Sequence, residues 1–252
     1  MINPRTVGIC CCLALAPLGA LSVPATGAEP QARASEVDAD AIAALQKMGA
    51  ELRSHTNFAV RADVTSEDVL ASGQKLQYAG TLDVQARRPD RFKISAVSDL
   101  RERHFYYDGD QVTVYSPRLE YYASFAAPPT IAETVRTARD NYDVELPLAD
   151  LFTWGVDKSQ EARVTSAFFV RPEHINGQLC NHYALRQDKV DWQIWIAQDG
   201  PALPCKIVIT KISDPSQPQY TAVMHWSFQR LSISIPRATP PLQCNWDPSQ
   251  AS

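Results

Sequence analysis

The chain has 252 residues, 45% of them hydrophobic, and a formal net charge of −4 at pH 7. That length, less a short leader, suits one domain with a sizeable core. With 24 Lys and Arg against 28 Asp and Glu, there is no basic surplus of the kind nucleic-acid binding requires, so nucleic acid is not an expected partner.

Residues 1–28 read as an export signal. Arg5 supplies a positive start, Val7 to Leu21 is an apolar run, and Thr26-Gly27-Ala28 offers small residues for cleavage near Ala28. The run is about 15 residues, short of the roughly 20 that span a bilayer. Cys10, Cys11 and Cys12 lie inside it, but Val7-Gly8-Ile9 is a poor lipid-attachment sequence. Residues 29–37 read as a flexible segment and 236–252 as a Pro-rich tail, with Pro236, Pro240, Pro241 and Pro248. The folded domain is therefore expected over 38–235.

Asp38 or Asp40 can cap a first helix, in which Ile42, Leu45, Met48, Gly49 and Leu52 form one stripe. The period then changes to two. Phe58, Val60, Ala62 and Val64 alternate with polar or small residues, as do Leu76, Tyr78, Gly80, Leu82, Val84 and Ala86. One apolar and one wet face indicate an antiparallel sheet. Short strands are predicted at 92–97, 104–107, 111–115 and 120–124, with Asp108-Gly109-Asp110 as a hairpin turn. Pro128-Pro129 ends the run, and Thr130 with Glu133 makes a capping box for a helix carrying Ile131, Val135, Ala138 and Tyr142. A second short helix is predicted from Pro147 to Trp154. Strands resume at 168–171, 181–186, 190–197, 206–211 and 220–231. Strands, a helical interruption and more strands indicate an α+β fold whose curved antiparallel sheet is covered by the helices at 38–54, 130–142 and 147–154.

No residue set announces catalysis. The five histidines, His55, His104, His174, His182 and His225, form no metal-binding pattern. Ser72-Gly73-Gln74-Lys75 matches a Ser-x-x-Lys motif but falls in a turn between strands rather than at a helix start. No enzyme activity, cofactor or metal is expected. Beyond the leader three cysteines remain, Cys180, Cys205 and Cys244. They allow one disulfide outside the cytoplasm, and Cys180–Cys205 is favoured because Cys244 lies in the Pro-rich tail.

One charged residue stands out. Continuing the parity of 82, 84 and 86 puts Arg88 on the apolar face, where a cation must find partners. It either clasps the sheet to a covering helix or is freed to solvent by a bend at Pro89.

Arg88-Pro89-Asp90-Arg91-Phe92 resembles the Arg-Pro-x-x-Phe segment of the periplasmic lipoprotein carrier (LolA-like) family. In the same order, Ser54 to Phe58, Gly80 to Val84, and Tyr107-Asp108-Gly109-Asp110-Gln111 through Tyr115-Ser116-Pro117 resemble further stretches of that family. Asp191 to Ile196, with Leu203-Pro204 and Lys206 to Thr210, looks like an uncharacterised family of exported bacterial proteins sharing the carrier fold. The resemblance covers residues 38–231. It implies an open half-barrel with helices covering its concave face and a cavity for a lipid, a lipoprotein acyl chain or another apolar ligand. It gives Arg88 the role of lid clasp, through hydrogen bonds. The implied cavity residues are Phe58, Val60, Leu82, Val84, Phe92 and Trp192. The alternative is an envelope protein-interaction or regulatory module whose cavity is filled by its own side chains. Gly80 to Pro89 is two residues longer than in the carrier, which preserves strand parity, while 128–154 does not visibly match the carrier's lid.

Overall fold

Helix α1 (Ala39–Ser54) starts at Asp38, whose carboxylate accepts from the Asp40 N–H at 2.9 Å. Its buried face is Ala41, Leu45, Met48, Gly49 and Leu52. Ala41 takes the inward position expected for Ile42, which is only partly buried. The computed structural model describes residues 37–228 and 233, apart from 143, 145, 147, 153 and 157. The export signal, nearly all of the 29–37 segment, the tail, Cys244 and Pro147 lie outside the described residues.

Eleven strands form one sheet: β1 (Asn57–Val69), β2 (Lys75–Arg87), β3 (Arg91–Ser98), β4 (Glu102–Tyr107), β5 (Gln111–Ser116), β6 (Tyr121–Ala126), β7 (Ser166–Ile175), β8 (Gln178–Gln187), β9 (Val190–Ala197), β10 (Pro204–Lys211) and β11 (Gln219–Ser227). The order is β6-β5-β4-β3-β2-β1-β11-β10-β9-β8-β7, and every neighbouring pair of strands is antiparallel. Two meanders are thus joined in the middle, where the first and last strands pair from Ala59↔Ser227 to Ser66↔Tyr220. The predicted 120–124 strand starts one residue later, because Glu120 ends a 3-10 turn (Pro117–Leu119) in a left-handed conformation with φ 51.

This topology decides where the helices go. Strands β6 and β7 lie at opposite edges, so the segment between them must cross the whole sheet. It does so as α2 (Ile131–Tyr142), a 3-10 turn (Ala149–Phe152) and α3 (Lys158–Ala162). The helix expected over 147–154 is therefore only a 3-10 turn. Leu148 has φ 61, a left-handed conformation in which a helix cannot propagate. The short α3 was not anticipated, since five residues carry too little periodicity to detect.

The main core lies between the inward face of the sheet and these helices. Phe58, Val60, Ala62, Leu82, Val84, Ala86, Phe92 and Ile94 belong to it, as their alternation requires. The late strands depart from simple alternation. Trp195, expected on the polar face of β9, is buried on the opposite side in a small cluster with Cys180, Cys205 and Val208. There Cys180 and Cys205 form a disulfide. Trp195 is stacked by His182 at 4.0 Å, covered by the Lys206 ammonium at 4.6 Å, and donates its indole N–H to Glu173 at 2.9 Å. Burial pushes the His182 imidazole below its ordinary pKa. A large aromatic on a wet face is stable only when neighbours supply such a lid and a hydrogen-bond partner.

Candidate functional site

The crossing segment does not fill the concave face. A cavity of about 590 Å³ remains between it and the sheet. The floor is apolar, made by Phe58, Val84, Ala86, Phe92 and Ile94 of β1, β2 and β3. The roof is Ile131 and Val135 of α2, with Leu146, Ala149 and Phe152. The mouth is different in kind: exposed Arg136, Arg139, Asp150, Lys158 and Ser159 surround it.

Each part of the roof has its own anchor. The α2 N-terminus is held by the Ile131 N–H donating to the Pro89 carbonyl at 2.8 Å. The buried Tyr107 hydroxyl and the Thr134 hydroxyl both donate to the Pro128 carbonyl, at 2.6 and 3.0 Å. Thr130 and Glu133 form the expected capping pair. At its other end Tyr142 stacks on Phe125 with centroids 4.0 Å apart. The 3-10 turn is held from α1. Arg53, in the last turn of α1, donates to the carbonyls of Phe152 at 2.8 Å and Trp154 at 2.6 Å. Gly49, one turn earlier, makes that approach feasible: a Cβ there would lie 2.3 Å from the Trp154 carbonyl oxygen. Gln46 of α1 donates to Glu161 of α3 at 3.1 Å. Trp154 also packs on Trp192, centroids 5.4 Å apart.

The structure separates the residues that the sequence nominated. Phe58, Val84, Phe92 and Arg88 line the cavity together. Val60 is buried opposite Val84 without lining it, and Trp192 is occupied by Trp154. Leu82 lines a second hollow of about 290 Å³ further along the same face, with Val64, Ala96 and Tyr220.

Arg88 departs from the role that the resemblance implied. Its guanidinium carbon lies 5.3 Å from the Phe152 ring centre and 6.0 Å from that of Phe58. No hydrogen bond from its side chain is found among the described residues, and its Nε is shielded from solvent without an acceptor. It touches the lid through a ring face, while the hydrogen-bonded tether is Arg53. The reason is position. Arg88 follows the last residue of β2 and is flanked by aromatic rings, whereas Arg53 ends α1 against the carbonyls of the lid turn. Burial, then the neighbouring Arg53 charge, push the Arg88 guanidinium below its ordinary pKa. Its very high starting value keeps it charged. Sequence reasoning missed Arg53 because a basic residue in a helix's last turn reads as complementing the helix dipole. It also missed the cationic mouth, although Arg136 and Arg139 are three apart on α2 and so share a helix face.

Among the described residues no helix is long and apolar enough to cross a membrane. No curated protein matches the sequence. Among solved structures, the chain is similar to the lipoprotein LppX of Mycobacterium tuberculosis (15% identity, 78% of this chain and 100% of that one, TM-score 0.49). It is similar also to LprF of Mycobacterium bovis (12% identity, 80% and 99%, TM-score 0.48). A LolA superfamily protein, NE2245 of Nitrosomonas europaea, is similar at 10% identity over 76% and 94%, with a TM-score of 0.36. The family described as "Predicted periplasmic protein (DUF2092)" matches residues 41–242, most of the chain, and the protein belongs to that family of periplasmic proteins.

Proposed function

We propose that this periplasmic protein binds or carries a lipid, a lipoprotein acyl chain or another apolar ligand without catalysis, in the cavity beneath its helical lid. The observation that carries the reading is the cavity itself: about 590 Å³ over an apolar floor, roofed by a separate helical segment that packs across the sheet. That volume is within the roughly 300–1,000 Å³ typical of small-molecule sites. Lifting the lid turn off α1 would widen the opening for a ligand that enters past the mouth residues. Each buried methylene returns about 0.8 kcal/mol, so a chain of many methylenes offsets both the two hydrogen bonds of about 1 kcal/mol each and the exposure of the buried Leu151 and Trp154. Native mass spectrometry of protein purified from the periplasm tests this. Co-purified acyl ligand is expected, and it should be depleted in Ala86→Phe, which places a ring into the floor. A bare mass in the wild type, together with no uptake of added lipid, would count against carriage.

A second reading, an envelope protein-interaction or regulatory module without a ligand, is favoured by one observation. Phe168, Phe169 and Val170 are consecutive, exposed and on the edge strand β7. Beyond the Val37 bridge at Ala167 this edge has no strand partner among the described residues, and an apolar edge of that kind is a template for strand addition. The same experiment separates the two, because this module has no need of a ligand.

A further inference from the structure

The cavity is lined by five cationic side chains, Arg53, Arg88, Arg136, Arg139 and Lys158, and among the described residues by one acidic side chain, Asp150. Two of the five have carboxylate partners: Arg139 pairs with Asp140 and, at 3.6 Å, with Asp150, and Lys158 pairs with Glu161. Arg53 is spent on neutral carbonyls. Arg88 and Arg136 have no carboxylate partner among the described residues, and the Arg88 Nε meets no acceptor. A purely apolar ligand would leave that arrangement worse, since it would dry the arginines without supplying a counter-charge. An oxyanion would supply both the charge and the acceptors that a guanidinium fork is shaped for.

We infer that the ligand is an anionic amphiphile. Its acyl chain lies on the Phe58, Val84 and Phe92 floor, and its oxyanion head, a carboxylate or phosphate, sits between Arg88 inside and Arg136, Arg139 and Lys158 at the mouth. This rests on the binding reading above and adds the class of head group. The mouth cations draw the head in and Arg88 receives it, so a neutral chain of equal length is disfavoured by the unmatched charge it leaves behind.

The test uses the mature protein and three twelve-carbon probes below their micellar concentrations: dodecyl phosphate, dodecanoate and dodecanol, each titrated calorimetrically. The two anions are expected to bind at least about tenfold more tightly than dodecanol, one charge-assisted hydrogen bond being worth about that factor. A further preference for phosphate points to a phospholipid-type source, and one for carboxylate to a free fatty acid. Arg88→Met is expected to reduce the anion-to-alcohol ratio to below about threefold, and the exposed Arg136→Gln to lower it by about two- to threefold, with a shallower salt dependence. If all three probes bind equally, head-group selection is refuted while lipid binding stands. If none binds, both fail. If the ratio survives in both variants, these arginines are not the anion site and the inference is overturned.

Discussion

Replacing Arg53 by methionine isolates the lid clasp. The substitution keeps the unbranched stem that packs beside α1 and deletes the two donors to Phe152 and Trp154. Hydrogen bonds from charged groups contribute about 1.5–3 kcal/mol when well shielded. Arg53 is only partly buried at the cavity edge, and water can replace it on both carbonyls, so about 1 kcal/mol each is the appropriate scale. A total of about 2 kcal/mol raises the open-to-closed ratio of the lid turn roughly 30-fold. Hydrogen exchange read by mass spectrometry should show peptides spanning 148–156 exchanging faster by about that factor, with β9 and β10 unchanged. Arg88→Met is the control that separates the two arginines. It loses ring contacts of about 0.5–1 kcal/mol each but also removes a shielded, unsatisfied Nε and a repulsion with Arg53, so lid exchange and melting temperature should stay level or the latter rise. If Arg53→Met leaves 148–156 protected while Arg88→Met exposes it, the assignment of the clasp is wrong.

Three further outcomes follow from the same geometry. Gly49→Ala should push the lid turn away from α1, because its new Cβ meets a backbone oxygen. A destabilisation of about 1–3 kcal/mol is expected in urea unfolding, with lid exchange rising as in Arg53→Met. Reducing the Cys180–Cys205 bridge, whose ends are 25 residues apart in sequence, should cost about 3.5 kcal/mol in urea unfolding with and without reductant, on the chain-entropy account. The His182 imidazole is buried and held below its ordinary pKa, so the unfolded chain binds the proton more readily. Stability should therefore be full above the ordinary imidazole pKa of about 6.5 and fall as pH drops below it, and His182→Gln should flatten that dependence in melts between pH 5 and 7.5.

Local chemistry determined much of this molecule. Period-two alternation placed Phe58 and Val84 inward, and the parity of β2 carried Arg88 to the same side. Thr130 with Glu133 marked the start of the lid helix. Each of these depends on residues a few positions apart, where the backbone sets direction by itself. What depended on distant parts of the chain lay beyond such reasoning. Pairing of β1 with β11 joins the two ends of the domain and sends the crossing segment over the sheet, so only the assembled sheet creates a roofed cavity. Arg53 finds its carbonyls about a hundred residues away, and Gly49 is small because of a carbonyl equally distant. Trp195 sits on a face that alternation marks as wet and is buried because β7, β8 and β10 bring Glu173, His182 and Lys206 over it. The sequence by itself determined most of the side chains that face inward. The tertiary structure alone decided which of them meet, because an apolar face can specify that it is buried but not against what.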